Sequence, residues 1–291
     1  MFRLPSAVAL VLYMIAAPAT AQDWGAARYA FGAVEAPAPG RAEPFGGYSR
    51  GCVAGAVELA ETGPTWQAMR LSRNRNWGHP DMIAFLERLS AFAATQPGWE
   101  GLYIGDISQP RGGPMLTGHA SHQMGLDADI WMRPATRLNL TRQEREELGS
   151  IPVTDDFRSI NANWTDAHYE IMRHAARDPA VARIFVTAPV KAEMCRRAGT
   201  DRDWLSRIRP WWGHYYHFHV RLNCPEGASG CIDQAPVPAG DGCDETLAWW
   251  MSDEALVPGP PRPADAPRTR PRAPIRVADL PAACTGVLTA E

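Results

Sequence analysis

Polar and apolar side chains alternate along His217-Phe218-His219-Val220-Arg221-Leu222, within a stretch rich in aromatic and β-branched residues. A period of two over such residues predicts a strand, here over residues 214–222. Phe218 and Val220 then leave one face toward a core, while His217 and His219 leave the other together. Elsewhere the period changes. Residues 81–92 carry apolar positions at helical spacing, which predicts an amphipathic helix. Further helices are expected over 166–177 and 190–198, and Thr141 with Glu144 forms a capping box that opens a short one. Strands are expected at 102–106, 130–132 and 183–187. Residues 22–50, rich in Ala, Gly and Pro, read as an extended lead-in. The pattern predicts an α+β fold, a small and mainly antiparallel sheet flanked by helices.

The N-terminal residues follow a different logic. Arg3, the apolar run 7–15 and the small-x-small triplet Ala19-Thr20-Ala21 make residues 1–21 an export signal, too short to anchor in a bilayer. No later segment is long and apolar enough to span one. Export explains the cysteines: all six (Cys52, Cys195, Cys224, Cys231, Cys243, Cys284) follow the signal, and an even count there predicts a disulfide-stapled protein. Spacing alone leaves 15 pairings open, although Cys224 and Cys231 flank a Gly-rich turn that a local clip would close. Residues 22–257 read as the catalytic domain, and 258–291 as a Pro/Arg-rich tail. A net charge of −3 argues against nucleic acid as a partner.

Two adjacent imidazoles backed by an apolar face suit metal chemistry. The segment His119-Ala120-Ser121-His122-Gln123-Met124-Gly125-Leu126-Asp127-Ala128-Asp129 supplies the rest of a hydrolytic site. Zinc hydrolases use three protein ligands, histidine and carboxylate, and keep a fourth position open. His122, Asp129 and His219 can fill those three places, with Asp127 an alternative carboxylate and Gly125 allowing the tight turn between them. His217 is then a free neighbour for proton transfer or oxyanion stabilisation, with His214 a second candidate. The other histidines have simpler readings: His168 in a core, His174 on a polar helix face, His79 at a helix start. Arg111 and Arg133 are candidates for reading substrate carboxylates.

Two rival chemistries fail on the sequence. No His-Glu-x-x-His occurs. The only lysine is Lys191, and Ser-x-x-Lys would need a serine where Ala188 stands, which excludes the penicillin-type serine enzymes.

At these residues the chain resembles the penicillin-insensitive murein endopeptidases, exported zinc peptidases grouped with the lysostaphin-type and D-Ala-D-Ala peptidases. The resemblance runs over Gly78-His79-Pro80-Asp81, Gly118-His119-Ala120-Ser121-His122-Gln123, Gly125-Leu126-Asp127, Gly199-Thr200-Asp201-Arg202-Asp203-Trp204-Leu205, Arg209-Pro210-Trp211, His217-Phe218-His219-Val220-Arg221 and Gly240-Asp241-Gly242-Cys243. It implies His122, Asp129 and His219 as zinc ligands, His217 as the catalytic histidine and His214 as an accessory one. It also implies the pairs Cys52–Cys284, Cys195–Cys243 and Cys224–Cys231, the first of which pins the tail. The implied reaction is β-lactam-insensitive hydrolysis of D-Ala–meso-diaminopimelate cross-links between peptidoglycan stem peptides in the periplasm. One position departs: relatives carry further ligands at His119 and in a downstream Asp-x-x-His, but here Asp155 is followed by Arg158. One zinc site is therefore expected, with His119 and Asp155 either remnants of a second or contacts around the first. The alternatives are a D,D-carboxypeptidase or dipeptidase on the same centre, and a non-catalytic zinc-containing peptidoglycan-binding protein.

Overall fold

A computed structural model describes residues 25–257 and 273–291; the expected export signal and residues 258–272 of the tail lie outside the described residues. Its frame is a six-stranded sheet of β1 (Trp66–Ala68), β2 (Leu102–Ile104), β3 (Asp127–Trp131), β4 (Val181–Val186), β5 (Ile208–Pro210) and β6 (His217–Leu222). The strands lie in the order β1-β2-β3-β6-β4-β5. The outer pairs β1–β2 and β4–β5 are parallel, and the three inner pairings are antiparallel. The fold is α+β, with a small sheet that is antiparallel where the histidine strand sits.

Helices α1 (Pro80–Ala93), α2 (Asp166–Arg177) and α3 (Ala188–Arg197) bury their apolar stripes with this sheet. Met82, Phe85, Leu86 and Leu89 of α1 and Ile171 and Met172 of α2 share one core with Phe218, Val220, Ala128 and Ile130. Phe218 is fully buried, a burial that stabilises by about 1.5–3 kcal/mol. His79 caps α1, its Nδ1 accepting from Asp81 N, and Pro80 opens the helix where its missing N–H costs nothing. His168 is a satisfied core residue: Nε2 donates to Met132 O at 2.6 Å, Nδ1 accepts from Thr165 N, and Trp164 stacks on the ring. His174 stacks on Phe92 at 3.8 Å on the helix exterior.

Within the expected lead-in of residues 22–50, the described residues 25–50 are not simply extended. Ala27–Gly32 is helical and Glu43–Gly47 pairs with Arg50–Ala54 as a hairpin. Ala27 and Phe31 bury against Val277, Leu280 and Val287 in a second, smaller core. Those partners are more than 240 positions away in the chain, so local composition gives no sign of them. Arg111 likewise departs from its expected role. It is buried and donates to Ala36 O, Val287 O and Leu288 O at 3.1, 2.9 and 2.7 Å, holding the carbonyl end of the helix Ala283–Thr289. Arg133 donates through Nε to Gly149 O.

Three disulfides, Cys52–Cys284, Cys195–Cys243 and Cys224–Cys231, staple the structure. The first joins the terminal helix to the hairpin, and the third closes the turn that follows β6. Among the described residues no helix is long and apolar enough to cross a membrane.

Candidate metal centre

Strand register builds the site. In the β3–β6 ladder His219 lies opposite Asp129 and Arg221 opposite Asp127. Alternation sends Phe218, Val220, Ala128 and Ile130 to the core and leaves His217, His219, Asp127 and Asp129 on the other face. His122 arrives from the loop before β3 with φ of +65°, a left-handed conformation that is uncommon for a non-glycine residue. Two bonds hold it there: its N–H donates to Asp127 Oδ2 at 2.9 Å, and its Nδ1 donates to Ile107 O at 2.7 Å. Gly125, at φ +68°, makes the turn between the two segments. A Cβ there would sit 2.8 Å from His79 N.

The hydrogen bonds fix which imidazole nitrogens face inward. His122 Nδ1 is engaged by Ile107, so Nε2 points into the cluster. His219 Nε2 donates to Asp127 Oδ1 at 2.9 Å, so Nδ1 points into it. Both inward nitrogens lie 3.3 Å from Asp129 Oδ1, and His217 Nε2 lies 3.6 Å from the same oxygen. His119 Nε2 approaches the other oxygen, Oδ2, at 3.5 Å, while donating to Asp106 Oδ2 at 3.1 Å. His119, His122 and Asp129 together form a group able to hold a metal ion, their ligand atoms within 4.8 Å of one another.

Buried polar atoms without partners are costly and need an explanation. Among the described residues four atoms are of this kind: Trp164 Nε1, in the main core, and His122 Nε2, Asp129 Oδ1 and His217 Nδ1, which all belong to this cluster. Water is nearly excluded: His122 is fully buried, and Asp129, His217 and His219 are buried. A cation bound among these lone pairs would satisfy them, so the residues present fit a metal.

The electrostatics agree. Burial works against charge on Asp129, but His217, His122 and His119 outweigh it and hold the carboxyl well below the usual range. Burial likewise opposes charge on His122, yet Asp129 and Asp127 raise it to about 9. Burial lowers His219 to about 4 and His214 to about 3, and it lowers His217 as well. An anion and a protonated imidazole thus sit where a metal ion would displace the proton.

His214 precedes β6 rather than lying in it. Its Nδ1 donates to Trp212 O, and its ring centroid is 4.8 Å from that of His217. Asp155 does not join the cluster. It is exposed and accepts from Asn161 Nδ2 at 2.8 Å, while Arg158 pairs with Asp253.

Two supporting residues escaped the sequence reading. Asp127 appeared there only as a rival ligand. It is instead consumed by His219, His122 N–H and the guanidinium of Arg221, whose Nε donates at 2.7 Å. The counter-cation was visible as Arg221 in the same alternation as the histidines, at the pairing position of Asp127. Asp106 is buried under Arg73, Arg75 and His119. Burial raises it, but the His119 bond and the two guanidinium groups hold it at about 2. Nothing in the local sequence marked it beyond an acid at a strand end. A cleft of about 150 Å³ opens beside the cluster, lined by Arg73, Asp106, His119, Asp129, Tyr216 and His217 among others. His119 also borders a groove of about 890 Å³ that reaches Tyr48, Arg50 and Asp233.

A buried imidazole–carboxylate cluster with inward lone pairs is the donor set of a metal-dependent hydrolase. The family model of penicillin-insensitive murein endopeptidases matches residues 44–289. Among relatives carrying that name, the Haemophilus influenzae protein is 46% identical over 225 residues, covering 77% of this chain and 76% of its own length. The Klebsiella pneumoniae subsp. pneumoniae protein is 38% identical over 253 residues, 87% of this chain and 88% of its own. The Escherichia coli K12 protein is 40% identical over 228 residues, 78% and 82%. The chain belongs to the penicillin-insensitive murein endopeptidase family and is a peptidase.

Proposed function

We propose that the chain is an exported, zinc-dependent D,D-endopeptidase that hydrolyses D-Ala–meso-diaminopimelate cross-links of peptidoglycan in the periplasm. The observation that carries this reading is the convergence of His122 Nε2 and His219 Nδ1, each 3.3 Å away, on Asp129 Oδ1. His122, Asp129 and His219 are the metal ligands. His119, already hydrogen-bonded to Asp106, braces Asp129 from its other oxygen. A zinc ion held there supplies Lewis acidity, polarising the scissile carbonyl and lowering the pKa of water to roughly 7.

The chain's own groups do the rest. Asp127 and Ile107 O fix the two imidazole tautomers, so ligand lone pairs face the metal before substrate arrives. His217, lining the cleft and neutral through burial, takes the proton of the attacking water and returns it to the leaving amine. His214 lies against His217 as the accessory histidine; with its N–H committed to Trp212 O, its Nε2 is left as an acceptor that can share the proton His217 handles. Asp155, exposed beside Arg158, has no part in a second metal site. Residues 1–21 are the export signal, 22–257 the peptidase domain and 258–291 a tail pinned by Cys284. Export accords with all six cysteines being paired. Neither nucleic acid nor a membrane span belongs to this account.

The test is mature, zinc-loaded protein on purified cross-linked muropeptide dimers, read by mass spectrometry beside a chelator control and His217→Ala. Conversion of dimers to monomers, lost in both controls and unaffected by penicillin, is the expected result. Dimers left intact with terminal D-Ala trimmed would make it a carboxypeptidase. Zinc bound with no turnover would make it a binding protein.

A further inference from the structure

The cleft beside the metal cluster is shaped by an unusual turn. Leu71–Arg73 is a single 3-10 turn bracketed by Arg70 at φ +59° and Asn74 at φ +50°, neither of them glycine. Such left-handed residues cost free energy and persist where neighbours over-determine them. Here the neighbours are identifiable. Arg70 donates to Arg145 O and Glu146 O, and the Glu146 carboxylate accepts from Ser72 N and Oγ at 2.8 and 2.9 Å. Asn74 accepts from Trp77 Nε1 at 2.7 Å and donates to Glu35 O. The Arg70 guanidinium also lies over the Trp131 ring.

The product of this bracing is the position of Arg73 in the wall of the cleft, which it shares with Asp129 and His217. Its Nη1 touches Asp106 at 3.1 Å, but Asp106 already has Arg75 Nη1 at 2.8 Å and His119 Nε2 at 3.1 Å. Arg75 is buried as a counter-ion should be, whereas the Arg73 side chain keeps 45% of its surface exposed. Among the described residues its Nε and Nη2 have no hydrogen-bond partner. Arg73 is thus a surplus cation mounted on a braced turn, lining the cleft with Nε and Nη2 still to be satisfied.

We propose that Arg73 reads the free carboxylate on the carbon that bears the scissile amide nitrogen. This rests on the murein reading: in a D-Ala–meso-diaminopimelate cross-link that nitrogen belongs to the D-centre of the diaminopimelate, whose carboxylate is unblocked. The carboxylate lies within one residue length, about 3.8 Å, of the bond to be cut. A substrate with its carbonyl at Asp129 and His217 therefore carries the carboxylate into the same small cleft. The planar guanidinium grips such a group through parallel N–H bonds, which a lysine cannot reproduce. Arg73 is a substrate-binding residue in this account, and it makes the enzyme selective for the free acid.

The experiment compares two synthetic cross-linked dimers, one with the D-centre carboxylate free and one with it amidated, on wild type, Arg73→Lys and Arg73→Ala. Wild type is expected to prefer the free acid by about tenfold or more in kcat/KM, as expected for one charge-assisted contact. Arg73→Ala is expected to lose the preference through a raised KM on the free acid, with kcat and zinc content little changed, and Arg73→Lys to keep part of it. Equal wild-type rates on both dimers would overturn the proposal and leave the endopeptidase reading standing. So would an Arg73→Ala variant that loses rate on both dimers alike, the mark of a purely structural role at Asp106. Failure of wild type to cleave either dimer would remove the murein reading and this proposal with it.

Discussion

Asp129 and His219 are direct cross-strand partners, with Asp129 Oδ1 3.3 Å from His219 Nδ1. One pair further along the same face, Asp127 and Arg221 are also partners, and Asp127 ties the two pairs together by accepting from both Arg221 and His219. The centre is therefore a property of register. A slip of one residue would send both histidines of β6 into the core.

Asp127 is the residue whose loss separates metal affinity from stability. Asp127→Asn frees the His219 tautomer and is expected to weaken zinc binding by about 10–100-fold. It also strands the buried Arg221 charge, at a cost on the order of 3–5 kcal/mol. Asp127→Asn with Arg221→Met should recover much of the stability and none of the affinity. Zinc competition titrations and urea melts on the two variants check this, and a double mutant with restored affinity would contradict it.

Gly125 holds φ of +68°, and its carbonyl accepts from His79 N at 2.9 Å. Gly125→Ala places a Cβ 2.8 Å from that nitrogen and forces an L side chain into left-handed backbone. The expected loss is about 2 kcal/mol, read as a lower urea midpoint at unchanged slope. An alanine variant as stable as the parent would show that the turn relaxes freely.

The histidine strand, the α1 helix and the small antiparallel sheet were legible because each rests on local periodicity. Phe218 and Val220 declare the core face of β6, and that assignment puts His217 and His219 on the other. Several features were not legible because their partners are remote in sequence. Arg111 looks like a free cation until Val287 and Leu288 fold onto it. Ala27 and Phe31 look like a lead-in until the terminal helix covers them. Asp127 and Asp129 look equivalent, and only the ladder to Arg221 and His219 tells them apart.

Lys191 gives a pH signature far from the metal. It is buried and donates to Leu205 O and Asp241 O at 2.7 and 2.5 Å. Burial, with Arg209 nearby, lowers its ammonium from 10.5 to about 7. Between those values the unfolded chain binds more protons than the folded one, so stability rises with pH across about 7 to 10.5. Below pH 7 the cost of the buried charge is fully present. Urea midpoints at pH 7, 8.5 and 10 should climb in the parent relative to Lys191→Met; equal slopes in the two proteins would contradict the assignment.

The Cys52–Cys284 bond closes a loop of 232 positions and joins the terminal helix to the hairpin. Replacing both cysteines with serine is expected to cost about 2–5 kcal/mol. Because the proposed ligands lie on β3, β6 and the loop before β3, and none lies in the second core, zinc stoichiometry should be unchanged. Denaturant melts paired with metal analysis check both halves, and loss of zinc at full folding would contradict the separation.

The central claim is that His122, Asp129 and His219 hold the metal while His119 stands beside it. Anomalous diffraction at the zinc edge, from crystals of the mature protein grown with zinc, tests this most directly. The account predicts one strong peak bonded to His122 Nε2, Asp129 and His219 Nδ1, with none at Asp155. A peak bonded to His119 and lacking His219, or a second peak at Asp155, would contradict it.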